Sequence, residues 1–390
     1  MKLRFRNLTV GVSLLVLTGC ATTASNSGNN LAGGPAKSAK EIRAANRDKV
    51  LWDYRNGLTA LRRGDFDEAK RLLDDAILSI GGIITNDKDA KKARGYFSGE
   101  DRKAFIGEPY ERVMAYFYRG ILYWMDGEPD NARACFRSAQ FMDSDTESKE
   151  FSSDYVLLDY LDGLASAKLA GDGSDAFKRA QTVSKTPLPA YDTKSNVLFF
   201  LDFGPGPRKY AAGEYGEKLQ FQIETSLARS VTIKVADKTF TALPNDDLFF
   251  QATTRGGRVM DHVLSNKAVF KSGTDAFGDT AIIGGAVMGS QRGRNSNVNE
   301  IGLGLLAAGL ISKLVSAATI PAADVRTWDN LPQYLSFASL SLPPGQHVAK
   351  VEFNDAQGRA LPHLTKTVTI NIPENSRDSV IYVSDKSTTS

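Results

Sequence analysis

Apolar residues recur at helical spacing in the first half of the chain and at strand spacing in the second. Leu51, Tyr54, Leu58 and Leu61 fall three and four apart, and so do Met114, Phe117, Ile121 and Trp124. That period lines one face of a helix. Beyond Lys185-Thr186-Pro187-Leu188-Pro189 short β-branched runs take over: Val197–Phe203, Leu219–Glu224, Ser230–Ala236, Val348–Phe353, Thr367–Ile372 and Val380–Val383. Pro and Gly turns such as Leu342-Pro343-Pro344-Gly345 separate them, which predicts an antiparallel β-sandwich. Arg258–Phe270 and the small-residue stretch 281–319 interrupt the strands with helical patterns. The expected fold class is α+β. Helical repeats over 41–184 precede a β-rich, sandwich-like domain over 190–390, with inserted helices near 258–270 and 299–319.

The helical half repeats itself. Gly57, Gly64, Ala69, Leu73 and Ala76 share their spacing with Gly120, Gly127, Ala132, Phe136 and Ala139, 63 residues on. Gly163, Gly171, Ala176 and Ala180 form a looser third copy. Small residues at these points let antiparallel helices touch, and the second Gly ends the first helix. The pattern resembles the tetratricopeptide repeat, whose unit is 34 residues. The longer offset places an insert at 81–107, opening at Gly81-Gly82. In that family, the positions held here by Leu51, Tyr54, Leu58, Leu61, Met114, Phe117, Ile121 and Trp124 line a concave groove. Such an apolar groove must be covered. Two covers are open: the chain's own insert or second domain, or a partner's helix or peptide.

The N-terminus carries an address. Lys2, Arg4 and Arg6 precede the apolar run Leu8–Thr18, which is too short to span a membrane. Leu17-Thr18-Gly19-Cys20 resembles the lipobox of bacterial lipoproteins, which implies cleavage after residue 19 and acylation of Cys20. Thr22, not Asp, follows at the second mature position, which by that family's rule sends the protein to the outer membrane, facing the periplasm. Residues 20–40 are rich in Ser, Thr, Asn, Gly and Ala and read as a flexible tether. The formal charge of +3 comes from the leader, because removing its three bases leaves 45 basic against 45 acidic residues. A neutral body has no net field to draw in nucleic acid.

Further stretches resemble an uncharacterised family of bacterial tetratricopeptide lipoproteins: Gly107-Glu108-Pro109-Tyr110-Glu111-Arg112, Phe203–Lys209, Ala323–Pro332 and Leu342–His347. The resemblance implies an exported lipoprotein with repeats ahead of a β-rich domain, and supplies no catalytic residues. Within it, Arg326 and Trp328 have two readings: a buried anchor with charges on its rim, or a recognition site on the β domain. Glu108 and Glu111 fall near a helix start, where negative charge is favoured.

Motifs for chemistry are lacking. No phosphate loop or nucleophile elbow is present, and His262, His347 and His363 lack ligand-spaced partners. Asp74-Asp75 and Asp246-Asp247 are isolated acidic pairs. Cys135 has no internal partner once Cys20 is acylated, and reads as a buried thiol or a reactive nucleophile. No cofactor or metal is expected. The expected role is a non-enzymatic scaffold or assembly factor in an envelope complex, binding a protein partner and the membrane through acyl chains. Two alternatives stand beside it: a carboxylate-dependent enzyme acting on peptidoglycan or glycan, and a membrane-active or oligomerising protein using 299–319.

Overall fold

A computed structural model describes residues 47–86 (side chains to 81), 104–144, 152–185, 187–214, 216, 218–222, 224–254, 323–375 and 377–388. The leader, Cys20, the tether, residues 87–103 of the insert, and the helices expected near 258–270 and 299–319 lie outside the described residues.

Helices come in antiparallel pairs. They are α1 (Lys49–Arg63) with α2 (Phe66–Asn86), α3 (Pro109–Met125) with α4 (Pro129–Asp143), and α5 (Val156–Lys168) with α6 (Ser174–Val183). The repeated small residues sit at their contacts. A Cβ on Gly57 would lie 3.2 Å from Leu73 Cγ, and one on Gly120 2.6 Å from Phe136 Cε1. Gly163 is tighter still, pressed by the Tyr191 hydroxyl and the Gly173 carbonyl. Gly64 ends α1 at φ +79°, a conformation costly for any residue with a side chain. Gly81-Gly82, expected to open the insert, instead lie inside α2, which runs on to Asn86. A helical glycine costs only about 1 kcal/mol, too little to stop a helix already formed.

The strands are β1 (Val197–Phe203), β2 (Arg208–Ala212), β3 (Lys218–Gln222), β4 (Ser230–Val235), β5 (Lys238–Ala242), β6 (Asp246–Asp247), β7 (Tyr334–Leu340), β8 (Gly345–Asn354), β9 (Lys366–Ile372) and β10 (Ser379–Ser384). A short helix, α7 (Leu248–Thr253), follows β6. One sheet has the order β10-β1-β7-β6, a second β5-β4-β8-β9, and β2 pairs with β3 as a hairpin. The expected all-antiparallel arrangement is corrected at one edge, because β10 runs parallel to β1. It enters from β9 on the other sheet, so no hairpin turn dictates its direction.

β1 explains the layering. All seven of its residues are buried, as a continuous apolar run demands of a strand covered on both faces. Val197, Phe199, Leu201 and Phe203 face the second sheet, where Phe203 meets Phe353. Leu198 and Phe200 face the helices, and Phe200 packs against both Phe117 and Trp124. The order is therefore helices, sheet, sheet. The two expected domains share one core, and the described residues belong to a single unit, Arg43–Ser390.

Candidate functional site

The eight groove positions are all in the core: Leu51, Tyr54, Leu58, Leu61, Met114, Phe117, Ile121 and Trp124 are each at most 6% exposed. The partner groove is thus corrected. The chain covers it itself, with Phe200 of β1 and with the irregular segment 323–333. Trp328 from that segment is wholly buried and stacks on Tyr54 at 4.3 Å between ring centroids. A recognition site built on Arg326 and Trp328 is corrected in the same way. Trp328 is the anchor, and Arg326 beside it pairs with Asp324 and Asp48, each at 2.6 Å.

Side chains from the helices grip this segment by its backbone. Arg55 Nη2 donates to the Thr327 carbonyl and Arg62 Nη1 to that of Asn330, both at 2.6 Å. Asn330 Nδ2 returns bonds to the Arg55 carbonyl and to Thr59 Oγ1. An irregular segment outside the sheets needs such partners, because buried peptide groups are costly when unpaired.

Glu111 is the first hub. It lies on the opening turn of α3, where its Oε2 accepts the Glu108 N–H at 2.7 Å, half of a capping box. Its Oε1 accepts the Trp328 N–H at 2.7 Å. Lys209 on β2 completes it, with Nζ 2.5 Å from Oε2 and both side chains at most 1% exposed. The same ammonium donates to the Arg326 carbonyl and faces the Phe105 and Tyr110 rings. Burial pushes the Glu111 carboxyl up, against the pull of Lys209 and the N–H bonds, and pushes Lys209 down.

Asp202 is the second hub. It is the one acid in β1 and points to the helix side. Its Oδ2 accepts the hydroxyls of Tyr118 at 2.8 Å and Tyr382 at 2.6 Å, while Arg62 Nη2 stands 3.5 Å from Oδ1. Burial opposes charge on Arg62, but Asp202 together with Tyr382 and Tyr118 outweighs it and raises the guanidinium above its ordinary value. Burial, reinforced by Asp202, holds both tyrosines well above theirs.

Two lesser ties complete the seam. Asp246 on β6 accepts the Val156 and Leu157 N–H groups at 2.8 and 2.9 Å, capping α5 from another layer. Burial pushes its carboxyl up to about 7 despite those two bonds. Asp378 accepts Trp124 Nε1 at 2.9 Å and Lys168 Nζ at 2.8 Å, pinning a groove residue to the strand side.

Comparison with protein-family models, curated proteins and solved structures finds no match.

Glu111, Asp202, Asp246 and Asp378 each meet a cation, a tyrosine, an indole or a helix N–H from another layer, and so tie the helices to the sheets. Among the described residues, no three His, Cys, Asp or Glu side chains stand where they could hold a metal ion. His347 bonds the Pro343 carbonyl, and His262 lies outside the described residues. Cys135 is part-buried on α4, and burial pushes its thiol up to about 11, away from the reactive thiolate. Asp202, Lys209, Arg62 and Asp378 were not singled out from the sequence. The signal for Asp202 was present, as a lone charge inside the apolar run Val197–Phe203. Lys209 offered none beyond its place in a resembling stretch.

Proposed function

We propose that this protein is a lipid-anchored envelope protein, held in the outer membrane and facing the periplasm, that serves as a scaffold or assembly factor for a protein partner. The observation that carries the anchor is Leu17-Thr18-Gly19-Cys20 after a basic start and a short apolar run. The helix pairs are read as tetratricopeptide-type repeats, a reading supported by the small residues at their contacts. Because Trp328 and Phe200 fill the groove, the partner meets the outer surface. A body keyed by buried charge between layers suits a fixed platform. Several acyl chains, at about 0.8 kcal/mol per buried CH₂, suit firm anchoring.

The test begins with labelled palmitate. The full chain should take up label and fractionate with the outer membrane, and Cys20→Ser should lose both. An unlabelled wild type, or one found free of membranes, overturns the anchor. Crosslinking in whole envelopes should then recover a stoichiometric partner; a protein recovered alone overturns the scaffold role.

A further inference from the structure

We propose that Glu111 and Lys209 are a site of self-modification, at which the two side chains join as an amide between α3 and β2. Three observations carry this. The Lys209 nitrogen is in direct hydrogen-bond contact with Glu111 Oε2, so the amine and the carboxyl it would join are already neighbours. Neither side chain is more than 1% exposed, so the pair is shut away from the bulk water that would favour hydrolysis. Holding amine and acid together also raises their effective concentration above that of any dissolved pair.

The third observation is the placing of donors. The Trp328 N–H, 2.7 Å from Oε1, stands where the oxygen of a tetrahedral intermediate would gather charge. The Glu108 N–H, 2.7 Å from Oε2, stands at the oxygen that leaves. Aromatic rings of Phe105 and Tyr110 wall the ammonium. Burial favours the neutral amine over the ammonium and the neutral acid over the carboxylate, the forms the step consumes. Asp324 and Arg326 are the other charged groups that face the pair, and they are tied to each other.

The step balances without a co-reactant. The ammonium of Lys209 gives one proton to Glu111 Oε2, leaving a free amine beside a carboxylic acid. The amine lone pair attacks Cδ, and Oε1 takes the charge under the Trp328 N–H. The Cδ–Oε2 bond then breaks, a second proton from nitrogen joins the departing hydroxyl, and one water leaves. Nothing is oxidised or reduced. The product covalently joins side chains 98 positions apart in the sequence.

The test is a tryptic map of the folded, purified full chain by tandem mass spectrometry. The expected result is a branched peptide joining the Glu111 and Lys209 segments, lighter by one water than their sum, with no cleavage after Lys209. Lys209→Arg keeps the charge but supplies no amine, and its map should show the two segments apart. The wild type should also run faster than that variant after boiling in detergent. Recovery of the wild-type segments separately, at full mass and cut after Lys209, overturns the proposal and leaves a plain buried ion pair.

Discussion

Replacing Trp328 by alanine tests the closed groove most directly. The indole is wholly buried, lies 4.3 Å from the Tyr54 ring and 6.2 Å from that of Tyr118, and sits in the cluster that joins the helices to β1. Truncating a buried Trp to Ala costs about 3–5 kcal/mol through lost transfer energy and the cavity left behind. Stacking on Tyr54 accounts for about 0.5–1.5 kcal/mol of that. A folded protein commonly holds only about 5–15 kcal/mol in reserve. Trp52 is the internal control, since it stands on the outer side of α1 at 55% exposure. Surface changes of that kind usually stay within about 0.5 kcal/mol. The assay is urea unfolding of full-length wild type, Trp328→Ala and Trp52→Ala, followed by far-ultraviolet dichroism. At a slope of about 3 kcal/mol per M, Trp328→Ala should lower the midpoint by about 1–1.7 M. Trp52→Ala should leave it nearly in place. Equal midpoints for the two variants would refute the reasoning, because Trp328 would then not be what fills the groove.

Gly163→Ala should destabilise by about 1–3 kcal/mol or more, and Tyr191→Phe should not rescue it, because the Gly173 carbonyl also blocks the new methyl. Gly81→Ala, with nothing within 4 Å of the added carbon, should instead raise stability by up to about 1 kcal/mol; thermal melts compare the two. Asp202→Asn should cost about 3–5 kcal/mol by leaving Arg62 buried without its counter-charge, and the pair Arg62→Met, Asp202→Leu should recover part of that in a double-mutant cycle. Asp246 sets a pH dependence. Its folded value near 7 lies above its ordinary 3.8, so the folded state holds a proton that the unfolded state releases. That contribution is complete below about pH 4 and is lost as pH rises through 7, with a slope of at most about 1.4 kcal/mol per unit. Chemical denaturation from pH 4 to 7 should show a shallower fall in Asp246→Asn than in wild type; an unchanged slope would count against this assignment.

Local order was legible where one residue's neighbours decide its state. Val197–Phe203 reads as a strand from its β-branched and aromatic run, and β1 has those bounds. Gly64 reads as a helix end because only glycine takes that backbone turn at no cost, and it does so. β7 escaped notice because Ser336, Ala338 and Ser339 dilute its alternation, although Ser336 is buried against the Leu243 carbonyl. The hairpin strand β2 was hidden by Arg208 and Lys209, whose charges suit a loop until Glu111 is seen to receive one of them. The seam was illegible for a different reason. Asp202 meets Tyr118 and Tyr382 across 84 and 180 residues, and no local pattern specifies contacts of that reach. The groove shows the same limit: its apolar lining predicted a cover, while Trp328, more than two hundred residues away, had to be placed to show which one.

The parallel pairing of β10 with β1 carries a consequence for the order in which the chain can mature. Synthesis delivers α1 to α6 first, with the faces bearing Tyr54, Phe117 and Trp124 complete but bare. Their cover arrives in instalments: Phe200, then Trp328 and Leu335, then Tyr382. β1 itself waits for β7 and β10, so its sheet is assembled from pieces widely separated in time. Folds dominated by such distant pairings form slowly and expose apolar surface meanwhile. A chain halted before Asp378 would hold every described helix yet lack Tyr382 on Asp202 and Asp378 on Trp124. Such fragments should be held by chaperones or degraded, so the abundance of the protein in the cell will track completion of its last strand more closely than formation of its first helices.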